Sequence, residues 1–78
     1  MNKWFVTWNR PNYFEWAKAN KNGYRLLVIH PESDGRYLAV DAQLEMLPQG
    51  LPKFTVTEQK YIGDLKSAKQ QVAEWQNK

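Results

Sequence analysis

The chain predicts an α+β fold in the order β-α-β-β-β-α, a three- to four-stranded, mainly antiparallel sheet with both helices on one face. Three observations carry this. Residues 24–30, Tyr-Arg-Leu-Leu-Val-Ile-His, are apolar on both alternating faces, the pattern of a central strand. Residues 65–75 repeat apolar side chains at helical spacing, with Leu65, Ala68, Val72 and Trp75 on one stripe. Turn-forming clusters at 20–23, 31–35 and 48–52 cut the remainder into short segments.

Each element follows from its residues. Lys3 to Trp8 is dense in aromatic and β-branched side chains and reads as a first strand, with Trp4, Val6 and Trp8 on one face. Pro11 ends it, because proline has no N–H for a ladder. Tyr13 to Asn20 reads as a helix: Asn12 stands as its cap, Glu15 as the capping-box partner, and Tyr13, Trp16 and Ala17 share a face. Asn20 to Gly23 closes that helix. Residues 24–30 and 36–42 form a hairpin around Asp34-Gly35, with Leu38 and Val40 opposite Tyr37, Ala39 and Asp41. Residues 43–52, with Pro48, Gly50 and Pro52, read as a loop. Lys53 to Thr57 is a further strand with Phe54 and Val56 inward, and Tyr61 and Ile62 continue it or add a short piece. Asp64 caps the last helix.

Seventy-eight residues make one domain, 1–78, with one modest core. There is no cysteine, so neither a disulfide nor a thiolate metal site is available to brace it. Four Trp, four Tyr and three Phe must supply the packing. The apolar stretch at residues 4–6 is far too short for a signal-peptide core, and no run reaches membrane length. A soluble, cytoplasmic protein is expected. The net charge of +3 is unevenly spread. Lys3, Arg10, Lys18, Lys21 and Arg25 face only Glu15 in residues 1–30, whereas residues 31–64 are acidic on balance. Such asymmetry suits an anionic partner for the terminal segments, although an ordinary mixed surface has it too.

Catalytic chemistry finds no support. His30 is the sole histidine, and with Glu32, Ser33 and Asp34 it offers too few converging ligands for a metal. Ser33 and His30 lack a glycine-rich oxyanion turn and a third orienting group. The four glycines are singletons at turns, not a phosphate loop. No enzyme activity, cofactor, metal or small-molecule substrate is expected.

Residues 65–69, Leu-Lys-Ser-Ala-Lys, together with the element order over 12–77, resemble the double-stranded-RNA-binding domain family. Glu15 on the first helix and His30-Pro31 at the hairpin add to the likeness. The resemblance implies an α-β-β-β-α core reading duplex shape, with Lys66 and Lys69 on phosphates. The acidic Glu32 and Asp34 and the additional first strand depart from that pattern. Lys18, Lys21, Arg25, Lys66 and Lys69 are the candidate nucleic-acid residues of this alternative. The chain is also similar in general look to small α+β proteins of phages and prophages, which identifies no function.

The leading expectation is a non-enzymatic protein-interaction or inhibitor-like module. Its candidate patch is Leu44, Met46, Leu47 and Leu51, four large apolar side chains where loops are usually polar. They serve either as a lid on the core or as an exposed surface for a protein partner, and the sheet face away from the helices is a second candidate. The aromatic residues near the N-terminus read as core, or as a base-stacking platform beside Lys3 and Arg10.

Overall fold

The computed structural model describes residues 3–78. Five strands and one helix follow in chain order: β1 (Phe5–Arg10), β2 (Tyr13–Asn20), β3 (Gly23–Pro31), β4 (Tyr37–Met46), β5 (Pro52–Ile62) and α1 (Leu65–Gln76). The strands form an antiparallel meander, each beside its sequence neighbour in the order β1-β2-β3-β4-β5. α1 returns across β3, β4 and β5 on one face. This corrects the expected architecture, which had two helices and three or four strands.

The decisive difference is at residues 13–20, which form β2 rather than a helix. Asn12 has φ of 66°, whereas a helix cap needs extended backbone, so it cannot cap. Pro11 and Asn12 instead occupy the centre of a two-residue turn between the paired Arg10 and Tyr13, the residue order of a type II turn. Lys21 and Asn22 make a second two-residue turn, closed by Asn20 pairing with Gly23 and by the Asn20 side chain accepting from the Asn22 N–H. At Gly23 a Cβ would run into the Leu44 carbonyl, so glycine alone lets β3 begin this close to β4. An eight-residue helix is marginal by itself, while a strand here gains ladders on both sides. Without that first helix, the α-β-β-β-α order behind the likeness to duplex-RNA domains is absent.

The core lies between α1 and one face of the sheet. Leu27, Ile29 and Ala39 from the sheet meet Ala68, Val72 and Trp75 from the helix, with Phe14, Trp16, Tyr37 and Leu65 packed around them. Among the described residues, four of the eight buried apolar side chains are alanines, so the core is thin. β3 is the middle strand, as its two apolar faces required. Strand β4 runs on to Met46, so the expected 43–52 loop shrinks to 47–51.

Two bulges re-aim side chains. Thr7 is the additional residue between Val6 and Trp8, so Val6 joins Trp16 on the helix face while Trp8 turns to the opposite face with Glu15. The expected single face for Trp4, Val6 and Trp8 is therefore broken. A second bulge in β5, opposite Asp41 and Ala42, leaves Phe54 and Val56 on the face away from α1. They are 56 % and 46 % exposed, against the expectation that they point inward.

The helix is set by Asp64, whose carboxylate accepts the Ser67 N–H at 2.7 Å. That backbone hydrogen bond, with lesser help from Lys66, holds the Asp64 carboxyl below its ordinary pKa. A depressed folded-state value means the stabilisation is present above the unfolded pKa and is lost as pH falls through the folded one. Acidification below about pH 4 should fray the first turn of α1. The Ser67 amide shift, titrated in wild type, should track Asp64, and Asp64→Asn should abolish that acid step. An unchanged titration in Asp64→Asn would sink the assignment.

Candidate functional site

Cross-strand partners share a face, so the pairing register maps both sides of the sheet. On the face away from α1, one row reads Phe5, Ala17, Leu26, Ala42 and Val56 across all five strands. The next row reads Trp8, Glu15, Val28, Val40 and Gln59. A third reads Ala19, Tyr24, Leu44 and Phe54, and beyond the second row stand His30, Leu38 and Tyr61. An antiparallel sheet with one solvated face normally alternates apolar and polar side chains. Here the face of β3 and β4 away from α1 is apolar as well as the stretch that α1 covers.

This open face forms a continuous surface. Leu26, Val28, Val40, Phe54, Val56 and Gln59 border a shallow basin at its centre. Phe5, Thr7, Tyr24 and Leu44 border a second hollow beside it. Aromatic edges frame one end: the Tyr13 ring stands perpendicular to both Trp8 and His30, with centroids at 6.4 and 5.7 Å. Burial, and then the charge of Glu15, push the Tyr13 phenol above its ordinary pKa. Glu15 of β2 also borders the basin, and the basic groups on this side stand over aromatic rings. Arg10 lies over Trp8 at 4.6 Å and Arg36 over Tyr61 at 4.7 Å. The Glu15 carboxylate accepts the Thr7 hydroxyl at 2.6 Å. The open-face positions of β3, β4 and β5 hold no Asp, Glu, Lys or Arg.

The predicted apolar patch divides. Leu44 and Met46 belong to β4 on the open face, Leu44 opposite Phe54. Leu47 and Leu51 stand at the β4–β5 turn, closed by the Leu47 N–H to the Leu51 carbonyl at 2.9 Å. With Met46 and Leu51 56 % and 62 % exposed, these residues are no lid on the core. Sequence reasoning missed most of the open face, because residues 13–20 were assigned to a helix and the β5 bulge inverted Phe54 and Val56. The alternation Leu26/Val28 and Leu38/Val40 was the available signal.

The predicted basic residues collect on the helix side. Lys18 and Arg25 are cross-strand partners, both over the half-buried Trp4 ring at 5.7 and 5.5 Å. Lys69 of α1 lies 4.5 Å over Phe14, which stacks on Trp16 with centroids 5.9 Å apart. Lys66 is exposed on the first turn of α1, and Lys21 is exposed on the β2–β3 turn, apart from the others. Arg25 is committed elsewhere. It makes a two-pronged pair with Asp41 at 2.9 and 2.7 Å, and that hydrogen bonding holds its pKa above the ordinary value.

His30 sits at the end of β3 with Nδ1 3.7 Å from Glu32. Among the described residues, no three His, Asp or Glu side chains converge as metal ligands do. No helix among them is long and apolar enough to cross a membrane. The fold and its bare face thus define a one-sided, two-layer α+β sheet protein. No protein-family model matches this chain, and no curated protein or solved structure is significantly similar to it.

Proposed function

We propose that the protein is a non-enzymatic protein-interaction module that docks another polypeptide on the open face of its sheet. One observation carries this: an apolar row runs across all five strands on the side opposite α1, with mostly apolar rows beside it and the large side chains Phe5, Trp8, Phe54 and Val56 exposed. Exposed apolar areas of several hundred Å² on small domains mark interaction sites. The absence of Asp, Glu, Lys and Arg from the open-face positions of β3–β5 favours an apolar polypeptide surface over a phosphate backbone, which needs a basic track.

A second reading rests on the other side. Lys69 over Phe14, the Phe14–Trp16 stack, and Lys18 beside Trp4 combine aromatic rings with lysines, as single-stranded nucleic-acid sites do. One experiment separates the two. A photoreactive phenylalanine at Phe54 should give protein adducts in cells, whereas the same group at the exposed Gln70 of α1 should give none above background. Equal adducts from both positions, or none from position 54, would remove the leading reading. Salt-dependent binding of a single-stranded oligonucleotide, lost in Lys66→Ala/Lys69→Ala, would then put the second in its place.

A further inference from the structure

We infer that the polypeptide covering the open face is a second copy of this chain, making a face-to-face, twofold-symmetric β-sandwich with the two helices outside. This deepens the docking proposal above and rests on it. Three observations identify the occupant.

The first is area. The chain exposes 5423 Å², whereas a folded monomer of its 9.2 kDa is expected to expose roughly 4,900 Å². A sheet with one bare side exposes surplus surface of this kind. Five strands about 4.8 Å apart, with about eight residues at ~3.3 Å each, span roughly 600 Å² in projection. Side-chain relief brings that toward the ~800 Å² per partner of a stable interface.

The second is charge. A twofold contact sets each patch against its own copy, so any charge at its centre meets itself. The open-face positions of β3, β4 and β5 carry no Asp, Glu, Lys or Arg; Glu15 of β2 borders the central basin with its carboxylate held by the Thr7 hydroxyl, and Arg10 and Arg36 stand over Trp8 and Tyr61. Interfaces between dissimilar proteins that also exist apart are about as polar as ordinary surface, while permanent homodimer interfaces resemble a core cut in half. This face is of the second kind.

The third is the thin core. With Ala17, Ala39, Ala42 and Ala68 making half of the buried apolar set among the described residues, one copy buries little. Small chains without disulfides or metals commonly gain their missing core by association. Packing Leu26, Val28, Val40 and Val56 against a second sheet about 10 Å away supplies a second apolar layer.

Sedimentation equilibrium of wild type should give the mass of two chains, and Phe54→Glu/Val56→Glu the mass of one with its far-ultraviolet circular dichroism retained. Because the chain has no cysteine, Val40→Cys at the centre of the open face should link to a dimer with a short bis-maleimide. Gln70→Cys on α1 should not. If the double glutamate variant unfolds, the cysteine pair decides alone. A wild-type mass of one chain across the micromolar range, or a dimer that links through Gln70→Cys and not Val40→Cys, overturns the inference. Adducts from position 54 to a different protein, with wild type at one-chain mass, would leave the docking proposal standing without it.

Discussion

Trp75→Ala should lower the unfolding free energy by about 3–5 kcal/mol, the range for deleting a large buried aromatic. Trp75 is 1 % exposed and is the largest fully buried side chain. It is also the last rung of the Leu65–Ala68–Val72–Trp75 stripe, and α1 is only 12 residues long. A helix of that length is marginal in water and is held by its packing, so removing the anchor loosens the element as well as opening a cavity. Trp75→Phe should cost distinctly less. Among the described residues the buried Trp75 indole N–H has no hydrogen-bond partner, and phenylalanine removes that penalty while keeping much of the volume. Urea unfolding followed by circular dichroism, at one fixed protein concentration because association alters apparent stability, measures both. A loss under about 1 kcal/mol for Trp75→Ala would contradict the packing of α1 on β3 and β4.

Arg25→Ala is expected to cost about 3 kcal/mol, near the lower end for breaking a buried ion pair because Arg25 keeps some solvent contact. Asp41 is 6 % exposed and stands beside Leu27 in the helix-face row of the sheet. Its carboxylate is satisfied by the two-pronged Arg25 guanidinium, which also donates to the Lys78 carbonyl. Removing the arginine strands a buried charge; removing both partners does not. The double variant Arg25→Ala/Asp41→Ala should therefore be more stable than Arg25→Ala alone. Arg25→Lys should recover only part, since an ammonium cannot reproduce the fork. A double-mutant cycle by urea unfolding at pH 7 reads the coupling, and additive losses would refute it.

How much of this molecule was legible in its sequence varied by element. The β3–β4 hairpin was plain, because Asp34-Gly35 lies between two strand patterns and β3 is apolar on both faces. The last helix was plain too, since a single stripe and an Asp cap agree with one another. Residues 13–20 were not. Tyr13, Trp16 and Ala17 satisfy helical spacing as well as they satisfy a strand. The contest was decided by neighbours distant in sequence, Leu26 to Ile29 on one side and Phe5 to Arg10 on the other. Eight residues carry too little intrinsic preference to resist two ladders.

The candidate site shared that fate. Leu44 and Met46 were legible as unusual apolar residues, but not as part of a face extending back to Phe5. Lys18, Arg25 and Lys69 were legible as basic, but not as companions of Trp4 and Phe14. Side-chain direction in a sheet depends on register, and one additional residue reverses it; the bulges at Thr7 and in β5 are such residues.

By itself, then, the sequence determined an α+β chain with a central apolar strand, an amphipathic C-terminal helix and neither cysteine chemistry nor a membrane-length helix. These are properties of composition and local period, which short segments carry on their own. Tertiary structure alone decided that the sheet has five strands, that one helix covers one face, and that the other face is left apolar and bare. Those outcomes depend on which strands pair and in what register, and the energy that selects a register is shared among residues far apart in the chain.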